Sequence, residues 1–205
     1  MIYITSDMMN EYGYIDAAGI QKFLEHIGSW LSKFTLGDRP FSQWLADMCG
    51  THEYEPIFWL AFMQKEQSLT EAKVAPIQKK IDWVLGYGCP ESGGRDETYK
   101  GFEKQFYCEY KDKNGKPRKG GAMAQFKNYE TWSPIVKWAT TTIMLFDSPK
   151  VLAKFGVQKY IKAGSKEDAK NFLYNPRIEG VAGLSAIWQK YYKICLDLKL
   201  IETEA

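Results

Sequence analysis

Apolar positions in the first part of the chain recur at helical spacing. Between residues 17 and 35, Ile20, Phe23, Leu24, Ile27, Trp30, Leu31 and Phe34 fall at offsets 0, 3, 4, 7, 10, 11 and 14. Those offsets trace one face of an α-helix, and Asp16 is placed to cap it. A second helix is expected to open at Pro40, a natural first-turn residue. It would carry Phe41, Trp44, Leu45 and Met48 on one face and end at Gly50. A third opens at Pro56 and is apolar on every side as far as Met63, the pattern of a fully buried helix. A fourth, at about 76–85, carries Ile77, Ile81, Val84 and Leu85.

The glycine-rich stretch GYGCPESGGRDET then reads as an ordered irregular loop. Helix is predicted again over 98–110, with Tyr99, Phe102, Phe106, Tyr107 and Tyr110 on one stripe. Asn114-Gly115 marks a turn, consistent with a short hairpin around 113–128. Further helices are expected over 134–146, over 149–162 and from a capping box at Ser165 to Tyr174. The last carries Leu184, Ile187, Trp188, Tyr191 and Cys195. The expected fold is mainly α, a single domain over 1–205, with small irregular or β regions near 86–97 and 111–128 and a basic insertion at 111–131.

Composition narrows the function classes. The chain has 205 residues, 45% hydrophobic and 25% charged, the profile of a globular protein with a sizeable core. Net charge is +2, which makes no case for nucleic acid as partner. The strongly basic stretch KDKNGKPRKGG, 111–121, is the exception; it is either a solvated surface or weakly attractive to an anionic polymer. Cys49, Cys89, Cys108 and Cys195 form no CxxC pair, and there are two histidines, His26 and His52. Neither a metal site nor a cofactor is expected. No apolar stretch approaches the length of a membrane span, and MIYITSDMMNEYGY lacks the layout of a signal peptide. The expectation is a monomer made in the cytoplasm. Aromatic residues make up 15%, a supply that suits both a core and a sugar cleft.

The position that raises a chemical question is Glu66, at the end of the buried helix. Its neighbours three, four and seven residues back are Met63, Phe62 and Trp59, which share its face. Lys65 is expected to point elsewhere. Apolar surroundings and the negative end of the helix dipole both disfavour a charged carboxylate, leaving a carboxyl able to protonate a leaving oxygen. The ordinary alternative is a solvated or paired helix end.

Several motifs bear on that choice. FMQKEQSL, GYGCPESGGRDETYKGFEKQFY and the upstream AAGIQKFLEHIGSWL resemble, in the same order, segments of a bacterial and phage branch of the lysozyme-like superfamily. That superfamily includes goose-type lysozymes and lytic transglycosylases. ATTTIMLFDSP and IWQKYY are looser matches. The resemblance implies a lysozyme-like helical domain acting on the glycan strand of peptidoglycan, with Glu66 as catalytic acid. It also implies that Gln67, Tyr87, Tyr99, Phe102 and Gln105 line or hold the sugar groove. Where transglycosylases carry a Glu-Ser pair this chain has Glu66-Gln67, and where the branch has a second loop cysteine it has Arg95, so no Cys89 disulfide is expected.

A conventional glycosidase needs a second carboxylate. Glu91, Asp96 and Glu103 lie in or beside the loop; Asp96 matches the motif, and loop capping is an equal alternative for it. The expected activity is cleavage of the β-1,4 bond between N-acetylmuramic acid and N-acetylglucosamine by a phage endolysin or virion-associated lysin. The rivals are a lytic transglycosylase, a glucosaminidase or chitinase, and a non-catalytic wall-binding or structural virion module.

Overall fold

A computed structural model describes residues 8–9, 15–90, 93–131, 142–145, 159–162, 170–171, 174 and 178–201. Helices dominate: α1 (Ala17–His26), α2 (Phe41–His52), α3 (Pro56–Gln67), α4 (Gln78–Asp82), α5 (Phe102–Phe106), α6 (Ala122–Thr131) and α7 (Ile178–Asp197). Three two-stranded antiparallel sheets complete the described residues. They pair β1 (Thr35–Leu36) with β2 (Arg39–Pro40), β3 (Cys108–Lys111) with β4 (Pro117–Gly120), and β5 (Thr142–Leu145) with β6 (Lys159–Lys162). The mainly α expectation with a small β component holds. No described helix is long and apolar enough to cross a membrane.

The first helix forms as its cap dictates: Asp16 Oδ1 accepts a hydrogen bond from Gly19 N at 2.7 Å. It is shorter than its apolar stripe. Gly28 takes φ +61°, a left-handed geometry that ends a helix cheaply only at glycine. Trp30 and Leu31 continue the buried face from a 3-10 turn, Trp30–Lys33. In α2, Gly50 does not end the helix; Glu53 does, at φ 57°, and the next residue's N–H, Tyr54 N, donates to Cys49 O at 3.0 Å.

The central element is α3. Pro56 occupies its first turn, and the buried Glu55 side chain accepts from Ile57 N at 3.2 Å. Every residue from Pro56 to Met63 is buried. The reason is that α7 packs on one side while aromatic residues from α5 and α6 pack on others. Trp59 and Phe62 lie 5.9 and 6.1 Å from the Phe126 ring, and Trp59 lies 5.5 Å from Phe106. Each such ring contributes roughly 1.5–3 kcal/mol by leaving water. Among the described residues the buried apolar side chains, Trp83 and Ala124 apart, form one contiguous cluster.

Elsewhere the chain departs from its periodicity. The segment predicted as helix over 98–110 divides into a 3-10 turn (Glu97–Tyr99), α5 and strand β3. The hairpin lies at 108–120 rather than 113–128, and α6 takes the residues after it. Thr142–Leu145 and Lys159–Lys162 are paired strands where helices were predicted. Their sequences, TIML and KYIK, are short and rich in β-branched and aromatic residues, so period alone does not separate strand from helix. Of the predicted helix at 165–174, Lys170, Asn171 and Tyr174 are helical, and the rest lies outside the described residues, as do 134–141 and 149–158.

Candidate functional site

Glu66 sits in the last turn of α3, with the next residues folding back beneath it. Ser68, at φ 57°, donates its N–H to Gln64 O at 2.9 Å, and Leu69 N donates to Met63 O at 3.5 Å. Gln64 Oε1 accepts from Glu71 N at 2.9 Å, Thr70 Oγ1 donates to Leu60 O at 2.6 Å, and Trp30 Nε1 donates to Leu69 O at 3.1 Å. Lys80 Nζ donates to Gln67 O at 3.2 Å, setting a cation at the negative end of the helix. The carboxylate of Glu66 is therefore held on a rigid base.

Met63, Phe62 and Trp59 are buried as expected, and the Glu66 side chain is only 19% exposed. Its charge environment differs from the expectation in one respect. Lys65 does not point away: its Nζ lies 2.5 Å from Glu66 Oε1 and 5.4 Å from the centre of the Phe62 ring. Adjacent helical residues diverge by about 100° at Cβ, but a four-carbon stem bends round the helix end, and its ammonium gains both a carboxylate and an aromatic face.

The loop after α4 closes over this carboxylate. A methyl group placed on Gly86 would lie 3.6 Å from Glu66 Oε2. Beyond it, Gly86, Tyr87, Gly88, Cys89 and Pro90 line a cleft of about 290 Å³ together with Gln125 of α6 and Tyr174. Gly86 is thus the residue shared by the cleft and the Glu66 carboxylate. Gly88 has φ +74°, and a Cβ there would come within 2.7 Å of Tyr99 Cδ2, so the tyrosine ring lies flush against the loop only because the side chain is absent.

Gln105 builds this loop. It is fully buried; its Oε1 accepts from Tyr87 N at 2.9 Å and Leu85 N at 3.3 Å, and its Nε2 donates to Tyr99 O at 2.7 Å and Tyr87 O at 3.0 Å. An amide with all its bonds made to backbone cannot also hold a sugar. Gln105 is therefore a loop-positioning residue, which corrects its expected role as a substrate contact. Phe102 is corrected likewise: it is buried against Phe34, Phe41, Trp44 and Phe106 and belongs to the core.

Tyr87 and Tyr99 remain at the surface, half-buried, with ring centres 4.7 Å apart and edge to face. Tyr99 Oη donates to Tyr110 Oη at 2.9 Å; burial and then that bond push its phenol well above the usual range. The Gln67 side chain is half-buried and makes no hydrogen bond among the described residues.

Asp96 is exposed and caps the 3-10 turn, its Oδ1 accepting from Thr98 N at 3.0 Å while its own N–H donates to Gly88 O. Of the two readings of Asp96, the structure displays loop capping. Glu103 accepts from Trp44 Nε1 at 3.1 Å, and Glu91 lies outside the described residues. All four cysteines are free thiols. Arg95 braces the loop instead, its guanidinium 5.1 Å from the Trp83 ring.

Two cleft residues were not singled out from sequence as site residues of weight. Tyr174 closes a predicted helix; its Oη donates to Leu85 O at 2.9 Å and its ring stacks on Phe126. Gln125 follows no motif and carried no signal. Tyr191, on the stripe of the last helix, is buried with its Oη donating to Glu71. No family model, curated protein or solved structure matches the chain.

Proposed function

We propose that the chain is a peptidoglycan-cleaving glycosidase in which Glu66 protonates the glycosidic oxygen of the bond between N-acetylmuramic acid and N-acetylglucosamine. The observation that carries this reading is the placement of Glu66: a mostly covered carboxylate at the end of a buried helix, its Oε2 facing the Gly86 backbone that lines the adjoining cleft. A general acid needs a fixed position, restricted water and room for the leaving oxygen. Tyr87, Tyr174 and Gln125 offer rings and an amide along that cleft, and Gln67 offers an uncommitted one beside the carboxylate. The reading requires the Lys65 contact to open as substrate enters, since a carboxyl giving up its proton cannot at the same time be paired as a carboxylate.

The lytic transglycosylase variant of this reading is favoured by a specific observation. Among the described loop carboxylates, Asp96 and Glu103 are both engaged in hydrogen bonds that shape the fold, which favours a mechanism in which the substrate's own N-acetyl and 6-hydroxyl groups take the second catalytic task. Digestion of purified peptidoglycan, with products read by mass spectrometry, decides between the variants. Anhydromuramyl ends mark the transglycosylase, reducing muramic ends the muramidase, and reducing glucosamine ends a glucosaminidase. Glu66→Gln should lower product release by at least about 100-fold, the usual contribution of a general acid, with an unchanged circular dichroism spectrum. Release at the parent rate removes Glu66 from the mechanism. Binding to walls by the parent without any product would identify a non-catalytic wall-binding module.

A further inference from the structure

The basic stretch plays no part in the site just described. Residues 111–119 hold five basic side chains and one acidic one, a net +4 in a chain of net +2; the remainder carries −2. The molecule is nearly neutral overall, but its positive charge is concentrated on one hairpin.

The fold makes that hairpin rigid. Asp112 Oδ1 accepts from Asn114 N at 2.9 Å and Lys116 N at 3.0 Å, and Asp112 N donates to Lys116 O. These bonds hold the carboxyl below its ordinary range. Asp112 also neutralises Arg118 at 2.9 Å. Four lysines remain, Lys111, Lys113, Lys116 and Lys119, exposed and without an ion pair among the described residues.

Register sorts their directions. Lys111 pairs with Pro117 and Glu109 with Lys119, while Tyr110 pairs with Arg118 and Cys108 with Gly120. Paired residues share a face, so Cys108, Tyr110, Arg118 and Gly120 share one face, and Gly120 lies against Tyr99. Lys111 and Lys119 project from the other, continuous with Lys113 and Lys116 at the turn. Lys119 stands between two surface grooves of about 400 and 570 Å³. The hairpin's own anion on this face, Glu109, accepts from Tyr107 Oη at 2.9 Å; set against the four lysines it leaves the hairpin about three positive charges toward solvent.

We propose that the β3–β4 hairpin is a docking arm for a base-free phosphodiester polymer, which, resting on the wall-cleaving reading above, is a polyol-phosphate chain attached to the wall. Lysine meets phosphate as a point charge and tolerates a flexible chain. Single-stranded nucleic acid also presents phosphodiesters, but its capture relies on free aromatic faces for base stacking. The rings near these lysines are engaged: Tyr110 is edge to face with Tyr99 and bonded to it, and Tyr107 lies 4.3 Å from the His52 ring.

The test uses the full chain carrying Glu66→Gln, with and without the four substitutions K111Q, K113Q, K116Q and K119Q. Both proteins are sedimented with peptidoglycan bearing poly(glycerol phosphate) and with the same peptidoglycan stripped of it by hydrofluoric acid. The hairpin-intact protein should prefer the polymer-bearing wall, losing about 20-fold in affinity between about 50 and about 200 mM salt, the slope for roughly three phosphate contacts. The four glutamines should abolish the preference while leaving binding to stripped walls unchanged. Equal binding of the two proteins to the polymer-bearing wall overturns the proposal. So does a single-stranded oligonucleotide that competes better than poly(glycerol phosphate) of equal phosphate content. The two readings fail separately: the hairpin variant with Glu66 intact should still release products from stripped peptidoglycan, and sedimentation is scored whether or not any bond is cut.

Discussion

At the scale of single residues, the candidate site contains two kinds of side chain that look alike in sequence. Glu66 and Gln105 are both polar residues set among aromatic ones. Glu66 keeps one oxygen toward the loop and cleft, whereas Gln105 spends its whole amide on the backbone of Leu85, Tyr87 and Tyr99. Gln105→Leu removes four bonds and strands buried backbone groups that cost about 1–3 kcal/mol each when unpaired. The expected loss is about 3 kcal/mol in urea unfolding at neutral pH, a value under about 1 kcal/mol excluding the clamp role. The identity of Glu66 as the residue of interest was legible because Trp59, Phe62 and Met63 share its face. Its partner Lys65 was not, because helical geometry states where Cβ points and not where a long stem ends.

At the scale of elements, α1, α2 and α3 were legible at their starts, since Asp16, Pro40 and Pro56 act within a few residues of where they stand, whereas α1 stops at His26 inside its apolar stripe and α2 runs past Gly50 to His52. The contact that joins α7 to the segment after α3 was not legible. Glu71 lies 2.9 Å from Lys190 Nζ and accepts from Tyr191 Oη at 3.0 Å. Burial pushes its carboxyl up, but these bonds and the charges of Lys190 and Lys73 outweigh it and hold it below the ordinary value of 4.5. A carboxyl lowered in the folded state adds stability that is complete above 4.5 and is lost as pH falls through the folded value. Lys190→Met should therefore be less stable than the parent at about pH 6, with the gap smaller at about pH 3. Denaturation at both pH values reads it, and a gap unchanged at the lower pH would remove this ion pair from the acid response.

At the scale of the whole molecule, the loop, the cleft and the core are one construction. Phe62 is buried between Phe58, Trp59, Phe126 and Tyr174, and Tyr174 holds Leu85 O at the start of the loop. Phe62→Ala should cost about 3–5 kcal/mol, measured by denaturant unfolding followed by tryptophan fluorescence. A cost below about 1.5 kcal/mol would mean that the core collapses around the gap and the coupling is weak. Local patterning was enough to determine the helical class, the burial of α3 and the position of Glu66 at its end, because periodicity and capping are short-range properties of the chain. Only the tertiary structure decided that Lys65 folds over Phe62, that Gln105 and Phe102 turn inward, that Thr142–Leu145 pairs with Lys159–Lys162, and that Gln125 and Tyr174 complete the cleft. Each of these depends on a partner supplied by close packing, often from far along the chain, and no local period encodes which partner that will be.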